Sequence, residues 1–186
     1  DDLNAIADLL EARGNAWLHD DAAFGLFAAA SPRFRHLTAG IERADSVASD
    51  GHKWLNVPYD SGFAFVRDNE MLRAAFAAVG AYILPASGDG PDPIHTVPEM
   101  SRRLPALAIW CALRADGRAG YRAMIERCID NAASFAGWVR ETPGLELMND
   151  APLNIVCFRL AGDGLSDEAL DARNRTAVRE IQAGGK

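Results

Sequence analysis

The chain is poor in cysteine, carries no excess of positive charge and has no long apolar run. Each shortage removes a class of function. Cys111, Cys128 and Cys157 are an odd number, set widely apart. That spacing argues against a disulfide framework or a zinc site and predicts a reducing, cytoplasmic setting. Formal net charge is −7 over 186 residues, so non-specific binding to nucleic acid is not expected. No apolar run is long enough to cross a bilayer, and no membrane partner is expected. One stretch, His19-Asp20-Asp21, invites a metal ion. Consecutive strand residues face opposite ways, so the three cannot converge, and no metal is assigned.

What is present reads as a globular α/β protein. Hydrophobic residues make up 49% and charged residues 24%, the balance of a folded chain. The length suits one domain with a real core, or parts of two. The chain opens on Asp1 rather than Met and closes on Gly184-Gly185-Lys186, so a piece of a longer protein is expected. Residues 2–13 predict a helix, with Leu3, Ile6, Ala7 and Leu10 on one face, Asp2 as cap and Gly14 just past the end. Residues 16–19 predict a short buried strand, and 46–49 and 62–66 predict two further short strands. Strands without polar alternation, separated by helical stretches, predict a mostly parallel sheet. Residues 68–78 predict a helix, 80–98 a long Gly/Pro-rich loop, and 102–141 a long helical stretch broken at Asp116-Gly117. A strand at 154–160 and a helix from Ser166 follow the boundary at Pro143-Gly144.

Two segments carry the chemistry. One is Trp17-Leu18-His19-Asp20-Asp21-Ala22-Ala23-Phe24-Gly25; the other runs from Asp45 to Trp54 and contains Asp50-Gly51-His52-Lys53. In parallel α/β sheets ligands sit beyond the carboxyl ends of strands, where both Asp21 and Lys53 are expected. An unprotonated lysine amine can attack a carbonyl carbon. A buried carboxylate can hold a proton on a pyridine nitrogen, which lets a pyridoxal ring draw electrons from an attached amino acid. A lysine and an aspartate so placed are what a pyridoxal-phosphate site needs.

Together these segments resemble the pyridoxal-phosphate-dependent group II decarboxylases, the family of aromatic-amino-acid, glutamate and histidine decarboxylases. Residues 17–25 resemble its pyridine-binding strand, 46–54 its Schiff-base segment and 101–110 the start of its connecting helices. Residues 117–121 and 154–159 also fit. The resemblance implies the fold type I (aspartate aminotransferase-like) architecture. Residues 1–130 would be the later part of the cofactor-binding large domain with connecting helices. Residues 131–186 would be the end of a connecting helix and the start of a small α+β domain. It implies pyridoxal 5'-phosphate as cofactor, Lys53 as the lysine joined to it and Asp21 as the pyridinium partner. Ala23 would touch the ring, and Asp50 and His52 would lie near the phosphate. Tyr82 would be the mobile-loop tyrosine that returns a proton to the substrate.

Three residues depart from the family pattern. Asp20 stands where an apolar residue is common, Ser61 where cysteine or alanine is usual, and Asp50 where some members carry asparagine. The family's ring-stacking histidine and phosphate loop would precede Asp1 and its substrate-carboxylate arginine would follow Lys186, so residues 1–186 alone are expected to lack a complete site. The expected activity is decarboxylation of an L-amino acid by a homodimer. The alternatives are an aldehyde synthase of the same family, disfavoured by a tyrosine at 82, and a non-catalytic homologue that serves as a binding or dimerisation module.

Overall fold

A computed structural model describes residues 2–76, 93–99, 101–162 and 164–185. It divides into two compact units, Asp1–Arg122 and Ala123–Lys186. Tyr82, with most of the Gly/Pro-rich loop, lies outside the described residues.

The first unit opens with helix α1, Leu3–Arg13. The Asp2 carboxylate accepts the Ala5 N–H at 3.1 Å, and Gly14 closes the helix at φ +84° while donating to the Leu10 carbonyl. Both ends match the sequence expectation, because capping chemistry is local. Three strands follow: β1, His19–Asp21; β2, Ser46–Asp50; and β3, Gly62–Val66. Short 3-10 turns at 26–30, 35–38 and 41–43 fill the β1–β2 connection where no element was expected. Beyond β3 come α2, Asn69–Phe76, and a long helix α3, Pro105–Glu141.

Two sequence expectations about β1 need correction. Residues 16–18 are not strand, and Trp17 is 45% exposed. The Leu18 N–H goes to the Asp45 carboxylate at 2.8 Å and the Trp17 indole N–H to Ser46 Oγ at 2.8 Å. Side chains satisfy these donors, so the ladder starts only at His19. The aspartates therefore lie within the strand instead of after it.

The sheet is mixed. β1 and β2 pair in parallel, with Asp21 opposite Ala48. β2 and β3 pair antiparallel, with Asp50 opposite Gly62. The expected parallel arrangement holds for the first pairing only. The second joins strands through residues 51–61, too short a link for the helical crossover that parallel neighbours need. One face of the sheet is packed, with Ala22, Ala44 and Val47 buried together against Leu18, Leu26 and Ile41. Burial of the Val47 side chain alone contributes about 1.5–3 kcal/mol.

Helix α3 starts at Pro105, whose fixed φ and missing N–H suit a first helical position. Gly117 (φ +63°, ψ 179°) interrupts it at the expected break. Beyond that break Tyr121, Ile125, Ile129, Ala132, Ala136 and Val139 are buried, whereas Phe135 is 40% exposed. The second unit adds β4, Leu145–Leu147, antiparallel to β5, Phe158–Leu160, and α4, Asp167–Gly184, capped by Ser166. The strand expected over 154–160 is only its last three residues. Asn149 takes the Cys157 N–H at 2.9 Å and donates to the Ile155 carbonyl at 3.0 Å, so a side chain replaces the ladder there. No described helix is long and apolar enough to cross a membrane.

Candidate active site

Alternation along the strands sorts the polar side chains. His19 and Asp21 of β1 share a sheet face with Ser46, Ala48 and Asp50 of β2, since cross-strand partners point the same way. The opposite face carries Val47, buried, and Ser49, buried with its hydroxyl 3.4 Å from the Ala22 carbonyl. Asp21 is exposed, not buried as expected from its proposed role. The chain then turns at once: Asp21 Oδ1 accepts the Ala23 N–H at 3.2 Å, and Ala22 and Ala23 are buried. One carboxylate oxygen of Asp21 is thus used to hold the turn.

Lys53 follows β2 and reaches back to the end of β1. Its Nζ sits 2.7 Å from Asp50 Oδ2 and 4.1 Å from the centroid of the Phe24 ring. Phe24 is three residues beyond Asp21, so amine and acid belong to the same corner of the sheet. A cation over a ring face is worth about 0.5–2 kcal/mol, enough to bias where a flexible lysine rests. Lys53 and Lys186 are the only lysines in the chain, against seventeen arginines. That scarcity was a signal in the sequence: basic character here is carried by arginine, and a lone internal lysine beside a strand end stands out.

His52 and Asp50 complete the corner. The Ser61 N–H donates to His52 Nδ1 at 2.9 Å, and Tyr59 stacks on the imidazole at 4.1 Å between centroids. His52 Nε2 is 3.8 Å from Asp50 Oδ2. Gly51 and His52 both donate main-chain N–H groups to the Ser61 carbonyl, at 2.7 and 3.3 Å, closing the 51–61 loop. A Cβ on Gly51 would stand 2.8 Å from Ser61 Oγ and 2.9 Å from Ile109 Cδ1, so the loop needs glycine there. The loop is held from below by Tyr121, whose phenol donates to the Leu55 carbonyl at 3.0 Å. Burial, and next the nearby Asp116, push the Tyr121 phenol above its ordinary range, keeping it a donor.

The corner thus gathers Asp21, Ala23, Asp50, His52 and Lys53 from two segments separated by the 3-10 turns. Phe24 and Tyr59 had no role assigned from sequence, and both touch these residues. At β1's other end His19 Nδ1 lies 2.7 Å from Ser46 Oγ. No cluster of three or more metal-ligating side chains occurs among the described residues.

Comparison with known proteins decides the family. The model of the pyridoxal-dependent decarboxylase conserved domain matches residues 1–161. The chain belongs to the pyridoxal-dependent decarboxylase family. It is 32% identical to an aromatic-L-amino-acid decarboxylase of Bacillus atrophaeus over 97% of this chain and 38% of that protein. It is 35% identical to the aromatic-L-amino-acid decarboxylase of Cavia porcellus over 87% of this chain and 34% of that protein. Among solved structures, Oryza sativa TDC with PLP and tryptamine superposes with a TM-score of 0.89 at 29% identity, covering 98% of this chain and 39% of that one. The chain therefore spans between a third and two-fifths of the length of these relatives. The fold is that of the fold type I decarboxylases, as the sequence resemblance implied.

The residues present fit pyridoxal phosphate. An amine, an exposed carboxylate with one oxygen not used by the turn, and a small residue, Ala23, stand at adjacent carboxyl-terminal strand ends. An aldehyde, a protonated ring nitrogen and a flat ring face are the three complements that such a set takes.

Proposed function

We propose that the protein containing this chain decarboxylates an L-amino acid with pyridoxal 5'-phosphate, and that Lys53 is the lysine that takes the cofactor aldehyde. The observation that carries this reading is the placement of the Lys53 amine over Phe24, three residues from Asp21, in a chain of this family. When bound, the cofactor supplies an electron-withdrawing ring that accepts the electron pair left as carbon dioxide departs.

The chain's own residues supply binding and proton control. The Asp21 oxygen not used by Ala23 would accept a hydrogen bond from the proton-bearing ring nitrogen of the bound cofactor and keep that proton in place. Ala23, small and buried, leaves room for a flat ring. Asp50 anchors the Lys53 ammonium until the amine is needed. Asp50 and His52 stand on the phosphate side. Tyr82 or Lys53 returns a proton to the substrate carbon. Residues 1–130 belong, in this reading, to the cofactor-binding large domain with its connecting helices, and 131–186 lead into the small domain. The protein works as a homodimer. Support comes from Leu104, Leu107 and Trp110, all more than half exposed near the start of α3. Three free thiols suit a cytoplasmic setting.

The test is a panel of L-amino acids, aromatic ones first, scored for carbon dioxide against ammonia and peroxide. Carbon dioxide without peroxide from at least one of them is expected, and its loss in Lys53→Ala. Peroxide and ammonia as the main products would reassign the reaction to aldehyde synthesis. A protein that never binds the cofactor would be a non-catalytic homologue.

A further inference from the structure

The turn that carries Lys53 is closed mainly by its own main chain. The Asn56 N–H donates to the Lys53 carbonyl at 3.1 Å, and the Val57 N–H to the Gly51 carbonyl at 3.3 Å. Asn56 sits at φ +54°, a left-handed conformation uncommon outside glycine. Trp54, Leu55 and Val57 are buried. A turn with a residue in that region keeps its shape where its surroundings hold it.

One side chain on α3 does so. Among the described residues, no main-chain N–H donates to the Leu55 carbonyl. Tyr121 makes the only side-chain hydrogen bond to the main chain of residues 53–57 among them, its phenol donating to that carbonyl at 3.0 Å. Tyr121 is 6% exposed. It lies four residues beyond Gly117, where α3 breaks. Leucine or phenylalanine would fill the same buried space. A phenol adds one thing, a directed donor, and here it ends two residues from Lys53.

We propose that Tyr121 is a positioning residue for Lys53: by pinning the Leu55 carbonyl it fixes the 53–56 turn and so aims the amine that takes the cofactor aldehyde. This rests on the reading of Lys53 as that amine. The turn is then held at one end by Tyr121 and at the other by the pair of Lys53 with Asp50, which together keep the amine over the Phe24 ring. Helix α3 thereby gains a part in the chemistry that neither strand-end motif contains.

Tyr121→Phe keeps the ring and removes the bond. The whole protein without cofactor is methylated with formaldehyde and cyanoborohydride, and peptide mass mapping gives the rate at Lys53 relative to Lys186. Losing one hydrogen bond should raise that ratio about fivefold, because the amine leaves Asp50 and Phe24 more often. Ile125→Ala, a buried change on the same helix, should lower stability and leave the ratio alone under conditions where each protein is folded. An unchanged ratio in Tyr121→Phe, or an equal change in Ile125→Ala, overturns the inference.

The cofactor then tests the aim. Per folded molecule, the yellow imine with pyridoxal 5'-phosphate should form about fivefold more slowly in Tyr121→Phe. In a Lys53→Ala background, where that imine cannot form, the same substitution should leave non-covalent affinity for the cofactor unchanged. An unchanged rate of imine formation overturns the positioning role. A loss of affinity in the Lys53→Ala background as large as the loss of rate makes Tyr121 a general support and overturns it too. If the unaltered protein binds no cofactor, the decarboxylase reading fails, and the methylation ratio still decides whether Tyr121 holds the Lys53 amine in place.

Discussion

The two antiparallel pairings among the described residues use their polar side chains in opposite ways. Around β4 and β5 the polar groups are bound to structure. Glu146 pairs with Arg159 at 2.7 Å, Asn149 bridges two backbone groups, and Asn174 both takes the Leu160 N–H and donates to the Leu160 and Leu170 carbonyls. Around β2 and β3 the backbone largely satisfies itself, through a five-residue ladder and the 51–61 loop. There the Lys53 amine rests on the Asp50 carboxylate and the Phe24 ring, and the main chain uses only one oxygen of Asp21. A region whose main chain closes on itself frees its side chains for chemistry; a region that closes through side chains does not.

That contrast breaks most sharply at Lys53. Lys53→Ala should abolish borohydride-trapped cofactor outright while leaving the melting temperature nearly unchanged, as judged by absorbance and calorimetry on one sample. Next in size is the core of the second unit. Ile125, 1% exposed, should cost about 2–5 kcal/mol when replaced by alanine, measured by urea unfolding, with trapped cofactor per folded molecule unaltered. Gly51→Ala should do the reverse. Overpacking against Ser61 and Ile109 costs about 1–3 kcal/mol, and cofactor affinity should fall with it because His52 and Lys53 follow directly. Asn174→Ala strands the Leu160 groups and should cost about 1–3 kcal/mol without touching cofactor affinity. A parallel fall in affinity would show that the second unit's polar network is not purely structural.

The smallest effect is on acid stability. The main-chain N–H of Glu168 itself, and then the Ser166 hydroxyl, hold the Glu168 carboxyl below its ordinary range at the start of α4. A depressed folded value means the stabilisation is present above the unfolded value of about 4.3 and lost as pH falls through the folded one. Glu168→Gln should therefore unfold slightly earlier than the parent near neutral pH, with the difference vanishing toward pH 3 in acid titrations followed by circular dichroism.

Local chemistry was readable in the sequence and register was not. Asp2, Gly14, Gly117 and Ser166 act where the sequence put them, because a cap or a break depends on a few neighbours. The contribution of Gly62 depends on lying opposite Asp50, with room for Asp50 Oδ1 3.3 Å from where a Cβ would be. Pairing across strands decides that, and periodicity cannot supply it. Asp20 and Asp21 were expected after a strand and lie in one, since side chains at Asp45 and Ser46 delay the ladder. The functional corner was legible as two motifs, Trp17–Gly25 and Asp45–Trp54. Phe24 and Tyr59 gained roles only once the loops brought them onto Lys53 and His52.

Locating the reduced cofactor tests the whole proposal most directly. After borohydride treatment of the cofactor-loaded protein, peptide mass mapping should find the pyridoxyl group on Lys53 and not on Lys186. A label on any other residue, or an unlabelled Lys53 in protein that has turned over substrate, would contradict it.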